Sequence, residues 1–182
     1  MDDTTKRHRF EEICMPHLDA AHNLARWLTR GSRDAEDVVQ EAFLRAFRFL
    51  DTFDGREGRV WLLAIVRNTC YTWLEKHRAE RSNVEFDEDL LASQGYDVHT
   101  LGNDQGYAID RSLLQTETSA RVNRALEQLP AEFREAIVLR ELEELPYKEI
   151  AAIAGVPIGT VMSRLSRGRK LLLKSLQAAE EL

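Results

Sequence analysis

Cys14, His17 and His22 stand in a C-x2-H-x4-H array, a spacing at which side chains can begin to assemble a metal site. On a helix Cys14 and His17 fall on neighbouring turns. His22, however, sits about 140° around the axis from His17, and no fourth ligand accompanies the three. Cys14 is better explained as a small buried apolar residue, so no metal or other cofactor is expected. No phosphate-cradling loop of the G-x-x-x-x-G-K or G-x-G-x-x-G type occurs, and the many carboxylates show no convergent pair. The residues therefore point to recognition rather than catalysis, and the chain is not expected to be an enzyme.

The recognition chemistry is concentrated near the C-terminus. Residues 160–175 carry Arg164, Arg167, Arg169, Lys170 and Lys174 and no acid, a local charge of +5 in a chain whose net charge is −6. The total hides a partition: −1 over residues 1–80, −5 over 81–115 and zero over 116–182. A short basic helix is the footprint that a phosphate backbone responds to, whatever the sum over the chain.

What positions those cations is the stretch Leu145 to Val161. Pro146 is placed to start a helix and Gly155 to end it in the left-handed conformation. Ala151 is small where two helices must approach closely, and Val161 anchors the second helix on the first. This is the layout of a helix-turn-helix. Along the second helix Val161, Leu165, Gly168, Leu172 and Leu176 form the inward stripe. Ser163, Ser166, Arg167, Lys170 and Lys174 lie opposite, with Arg164 and Arg169 on the flanks. Side chains near the start of such a helix reach base edges in the major groove, and later basic ones suit phosphates. A basic face alone fits any solvated amphipathic helix equally well. Its coincidence with the turn spacing favours DNA.

The remaining periodicity is helical too, and no strand or internal repeat is expected. Val39, Phe43, Ala46, Phe47 and Leu50 make one apolar stripe, with Asp34 as the expected N-cap and Gly31 closing the helix before it. That earlier helix carries Phe10, Ile13, Leu18, Ala21, Leu24, Ala25 and Leu28, and is bent or begun near Pro16. A third helix runs from Val60 to His77 after the glycine-bearing loop Asp54–Gly58. Trp61 opens its apolar run, which favours a core role over a stacking platform. Residues 81–115 lose the period and gather Glu85, Asp87, Glu88 and Asp89 with several glycines, as an extended linker does.

The expected fold is thus all-α: two small helical domains, 1–80 and 116–182, joined by an acidic flexible linker, 81–115, with the helix-turn-helix in the second. A hydrophobic content of 43% excludes global disorder. The longest apolar run, Val60 to Val66, is far short of a membrane span, and the N-terminus is charged from Asp2 onward, unlike a secretory signal. Two cysteines build no disulfide framework. A cytoplasmic location is expected.

Three segments in this order resemble the extracytoplasmic-function (ECF) sigma factors of bacterial RNA polymerase. They are Asp34-Ala35-Glu36-Asp37-Val38-Val39-Gln40-Glu41-Ala42-Phe43, then Trp61-Leu62 through Arg67-Asn68, then Leu129-Pro130-Ala131-Glu132-Phe133-Arg134 through Gly159-Thr160-Val161-Met162-Ser163-Arg164-Leu165. The resemblance covers roughly residues 8–80 and 116–176. It implies an alternative sigma factor that binds core polymerase and directs initiation by reading the −10 and −35 promoter elements.

By this resemblance the outward face of the first motif, Asp37, Gln40, Glu41, Leu44, Arg45 and Arg48, docks on the clamp helices of polymerase's largest subunit. The loop Asp54, Gly55, Arg56 and Arg59 holds a flipped base of the −10 element, with Asn68 beside it and Lys76, His77 and Arg78 at neighbouring phosphates. Met162, Ser163, Arg164, Ser166 and Arg167 read the −35 element, with Lys170 on the backbone. The chain departs from the family at Thr72, often an acid, at Met162, often basic, at Ser166, often bulkier, and at Gly168, usually alanine. The acidic linker by analogy threads toward the polymerase cleft and RNA exit channel, the alternative being a plain soluble tether, and an anti-sigma protein is an expected partner. The alternative is a helix-turn-helix regulator that binds duplex operators, as a dimer on paired half-sites, without polymerase.

Overall fold

A computed structural model describes residues 2–84 and 117–178. Among them every regular element is helical. The chain runs α1 (Asp3–Cys14), a 3-10 turn (Met15–His17), α2 (Leu18–Thr29), α3 (Ser32–Phe49), a 3-10 turn (Leu50–Thr52) and α4 (Gly58–Val84). It continues with α5 (Glu117–Glu127), α6 (Ala131–Ile137), a π turn (Val138–Leu142), α7 (Tyr147–Ala154) and α8 (Ile158–Ala178). Most of the acidic linker lies outside the described residues, and positions 81–84 of the expected linker belong to α4.

The first unit forms because its helices carry small residues where they meet. Ala21, Leu24, Ala25 and Leu28 bury one stripe of α2, and Ala35, Val38, Val39, Ala42 and Ala46 bury the facing stripe of α3. Leu62, Leu63, Val66 and Cys70 of α4 close the bundle with no exposed surface. Each fully enclosed leucine there contributes roughly 1.5–3 kcal/mol of hydrophobic stabilisation. Pro16 breaks the first helical stretch at the 3-10 turn, as its missing N–H requires.

Two end signals differ from the sequence expectation. Arg30, not Gly31, closes α2, taking φ +61° and donating its N–H to the Arg26 carbonyl. Gly31 is the N-cap of α3, which begins three residues early, so Asp34 lies in the first turn rather than at the cap. A carboxylate there still meets the positive end of the helix dipole.

In the second unit Arg134 is 1% exposed, and its Nη1 donates to the Glu127 and Leu129 carbonyls at 2.9 and 2.8 Å, tying the α5–α6 corner. The two units then pack on each other, α2 against α6 and α4 against α7, and their buried residues form one continuous core.

Both thiols lie inside this core. Burial pushes the Cys14 thiol up to about 11 and, with the Glu135 charge nearby, the Cys70 thiol up to about 12. The folded state holds these protons more tightly than the unfolded state does. Their contribution to stability is therefore full below the ordinary thiol value of 9.0 and is lost as pH rises through 11–12. The urea midpoint is expected to fall between pH 8 and pH 10.5, and the fall to be smaller in Cys70→Ala. Both thiols should react with a disulfide reagent only after unfolding.

Candidate nucleic-acid interface

Pro146 is the N-cap of α7, and Gly155 ends it at φ +66°, the conformation its lack of a Cβ permits. The Gly155 N–H bonds the Ala151 carbonyl, and the Val156 N–H reaches the same oxygen at 3.1 Å. The Pro157 carbonyl then accepts from Thr160 and Val161, which starts α8 at once. This short turn fixes α8 across α7, and Val161, 1% exposed, seats between them.

The rotation of α8 follows. Val161, Leu165 and Gly168 are buried, whereas Met162, Ser163, Ser166, Arg167 and Lys170 are exposed. These five expected −35 residues therefore form one outward surface over the helix's first half. Arg164 differs: it is half-buried and its charge acts on Tyr71 of α4. Arg169, on the flank, donates to Glu141 at 2.6 Å and braces α8 on the π turn.

Gly168 marks a close approach. A Cβ there would stand 2.9 Å from the Ile137 Cδ1 and 3.3 Å from the Phe133 Cβ of α6. The helix-propensity cost of glycine, about 1 kcal/mol, is the condition for this packing. Gly168→Val is expected to destabilise by roughly 1–3 kcal/mol through overpacking, seen as a lower urea midpoint.

The expected −10 residues are only partly gathered. Asp54, Gly55 and Arg56 sit exposed on the loop before α4, where the Asp54 carboxylate accepts the Arg56 N–H at 2.9 Å and shapes the turn. The loop borders an open groove whose other walls are Trp61 and Ala64 of α4 and Lys148 and Ala152 of α7. Trp61 is half-buried, packed on the core and against Phe53, ring centroids 5.0 Å apart, and also edges the groove. Asn68, Lys76 and Arg78 are exposed but strung along α4, the last about 28 Å beyond Arg59 at 1.5 Å per residue. His77 stacks on Trp73 at 3.8 Å and its Nδ1 lies 2.9 Å from the Trp73 carbonyl.

On α3 the expected polymerase-facing residues Asp37, Gln40, Leu44 and Arg48 are exposed. Glu41 and Arg45 stand beside them, half-exposed and joined at 2.8 Å. Leu44 is 55% exposed, and Phe49, which the sequence reading passed over, is 56% exposed at the same end of the helix. Cys14, His17 and His22 do not form a metal centre, and no group of three potential ligands occurs among the described residues. Burial and the Arg59 charge hold the His17 imidazole below its ordinary value. No helix among the described residues is long and apolar enough to cross a membrane.

The residues that the sequence reading missed lie between the units. Glu135 of α6 accepts from Arg67 Nε at 2.6 Å and Tyr71 Oη at 3.0 Å, both on α4. The Arg67 guanidinium also lies over the Tyr71 ring at 4.1 Å. Burial opposes the Arg67 charge, but the Glu135 hydrogen bond and charge outweigh it and raise its proton affinity. Burial and then the Glu135 charge hold the Tyr71 hydroxyl neutral well beyond its usual range. Glu143 accepts from Asn23 at 2.7 Å and from Arg59 at 2.8 Å. A signal existed for Glu135, an acid directly before the apolar run Ala136–Leu139. None marked Glu143.

Comparison with known proteins finds two family models on the chain. The Sigma-70 region 2 family model matches residues 14–80 and the Sigma-70, region 4 model matches residues 119–172. The chain is 37% identical over 161 residues to the ECF RNA polymerase sigma-E factor of Escherichia coli (strain K12), covering 86% of this chain and 82% of that one. It is 29% identical over 169 residues to the ECF RNA polymerase sigma factor SigW of Bacillus subtilis (strain 168), covering 92% and 89%. Among solved structures it resembles the sigma factor RpoE, crystallised with the anti-sigma factor NepR from Bartonella quintana. There the TM-score is 0.69 and the identity 30%, with 92% of this chain and 96% of that one covered. With both family regions present in order, the second holding the helix-turn-helix, the chain belongs to the ECF RNA polymerase sigma factors, alternative sigma factors that direct promoter-specific transcription.

Proposed function

We propose that residues 1–80 act as region 2 and residues 116–182 as region 4, each with its own surface. The α3 face Asp37, Gln40, Glu41, Leu44, Arg45 and Arg48 docks on the clamp helices of core polymerase. The loop Asp54, Gly55, Arg56 and Arg59, with Asn68, Lys76 and Arg78 along α4, takes the −10 element. Met162, Ser163, Arg164, Ser166, Arg167 and Lys170 of α8 take the −35 element. The observation that carries this reading is the division of α8, whose Val161, Leu165 and Gly168 are buried while Ser163, Ser166, Arg167 and Lys170 face outward together.

The chain acts by binding, without catalysis and without a cofactor, in the cytoplasm. The acidic segment 81–115, at −5, supports a path along basic polymerase surface that nucleic acid otherwise occupies. Its relative RpoE is solved with the anti-sigma factor NepR, and CnrH with the cytosolic domain of CnrY. By that likeness an anti-sigma protein holds this chain inactive. Co-sedimentation with purified bacterial core polymerase tests the reading. The chain should travel with core in a 1:1 complex and bind promoter duplex only weakly alone, because its two small surfaces act together only when polymerase fixes their spacing. Failure to bind core, with tight specific binding to duplex as a dimer, would make it a conventional regulator instead.

A further inference from the structure

Single apolar side chains are common on protein surfaces, but α8 begins with two together. Ile158 is 45% exposed and Met162, one turn on, is 53% exposed. Residues four apart on a helix stand about 40° from each other around the axis and are neighbours on its surface. The same step leads from Met162 to Ser166 and then to Lys170, so the apolar pair runs directly into the outward polar face. The turn between them is open: Gly159 is exposed, and a Cβ built on it would meet no atom within 4 Å. Neither side chain belongs to the core that seats α8, which Val161, Leu165 and Gly168 provide from the other side of the helix.

The polar side chains beside the pair decide what it can meet. Ser163 and Ser166 are small, and the Ser163 hydroxyl is spent on the Thr160 carbonyl at 3.0 Å. They leave the middle of the face low, with Met162 on one edge and Arg167 on the other, about 140° further round. Such a helix sits close to the floor of a major groove about 12 Å wide, where its longer flanking side chains meet base edges. That floor offers hydrogen-bonding groups to Ser, Arg and Lys, and one apolar group alone, the C5-methyl of a pyrimidine. Thymine carries it in every A·T pair, and cytosine only where DNA has been methylated. Methionine, unbranched and adaptable, suits so small a target. A protein partner fits less well. Two side chains offer far less than the ~800 Å² per side that a stable protein interface buries, and the acid-free run of cations over residues 160–175 suits a polyanion.

We propose that Met162, backed by Ile158, reads a pyrimidine C5-methyl and so selects a thymine in the −35 element of this chain's promoters. The proposal rests on α8 being the −35 surface and names the base chemistry read there. It is tested with core polymerase and the full chain on a promoter selected by transcription in vitro. Duplexes carry deoxyuridine for each −35 thymine in turn, on either strand, which removes the methyl and leaves every hydrogen-bonding group. A further duplex carries 5-methylcytosine for the cytosines of the element, and another a scrambled −35 element. Competition gives the affinities of the wild type, Met162→Ala and Met162→Leu, and these exposed substitutions change helix propensity little.

One deoxyuridine should weaken wild-type binding about fourfold, the factor that ~0.8 kcal/mol for a buried methyl gives at about 1.4 kcal/mol per tenfold. Met162→Ala should bind the thymine duplex as weakly as the wild type binds the deoxyuridine one, and should not tell them apart. Met162→Leu should keep most of the discrimination. No response of the wild type to any methyl, or the same response in Met162→Ala, would overturn the proposal. A gain on 5-methylcytosine that Met162→Ala lacks, without loss on deoxyuridine, would keep the role of Met162 and assign the methyl to modified cytosine. Weaker core binding by Met162→Ala without DNA, its methyl response intact, would place the pair on a protein partner and overturn it. The scrambled element separates this proposal from the reading beneath it. A wild type that loses affinity there yet ignores the methyls still reads −35 through α8, whereas one indifferent to scrambling removes both.

Discussion

Glu41→Lys is expected to weaken binding to core polymerase by about a hundredfold while leaving the helices folded. The two effects separate by magnitude. Within the free chain Glu41 makes one ion pair, to Arg45 four residues on, and both side chains are more than a third exposed. An exposed pair of this kind contributes about 0.3–0.5 kcal/mol, and its reversal to a like pair costs a similar amount. At a complementary protein interface a like-charge contact costs several kcal/mol, and each 1.4 kcal/mol is tenfold in affinity. The loss should therefore appear in the core-binding titration and not in the urea midpoint. Asp37→Ala, at an exposed position, should act in the same direction and less strongly. Unchanged affinity in both would remove α3 from the polymerase surface.

Arg167→Ala is expected to lower transcription from the cognate promoter by roughly 5- to 150-fold, the 1–3 kcal/mol that one arginine–base contact is worth. Core binding should hold within about twofold, since Arg167 is on α8, away from the α3 face. The side chain is exposed on α8, and arginine and alanine differ little in helix propensity, so stability should be unchanged. Lys170, a turn further on, is a phosphate contact by the same reading. Its loss should weaken all promoters alike and reduce the salt dependence, whereas loss of Arg167 should relax preference at one position of the −35 element. Equal losses of transcription and core binding in Arg167→Ala would argue against a DNA role for this face.

The helix-turn-helix was legible because its determinants are local. Pro146, Ala151, Gly155 and Val161 each impose a backbone or packing condition within one turn of their own position. The inward stripe of α8 was legible for the same reason, down to Gly168. Helix ends were less so. Arg30 takes a left-handed conformation that glycine would adopt more readily, and the N-cap fell on Gly31 rather than Asp34, because the packing of α2 on α3 sets the corner between them. The contact between the two units was hidden for a different reason. Glu135 and Glu143 lie in a segment rich in acids, where a charge ordinarily faces solvent. Their partners Arg67, Tyr71, Asn23 and Arg59 stand 64 to 120 residues away in sequence. No periodicity reports a contact between residues so far apart.

The order of the matched segments, rather than any one of them, carried the family assignment. A helix-turn-helix occurs in many regulators, and the α3 face taken alone is an ordinary mixed-charge surface. What distinguishes this chain is that an exposed α3 face, a groove-edging loop before α4 and an outward basic face on α8 occur together in one chain. Each is small, so specificity has to come from their joint use on a polymerase scaffold.

The most direct test of the central claim is transcription in vitro from a genomic promoter library, with core polymerase, with and without the purified chain. The account predicts new transcripts that require both proteins and share sequences at −10 and −35. No new transcripts, together with specific duplex binding by the chain alone, would contradict it.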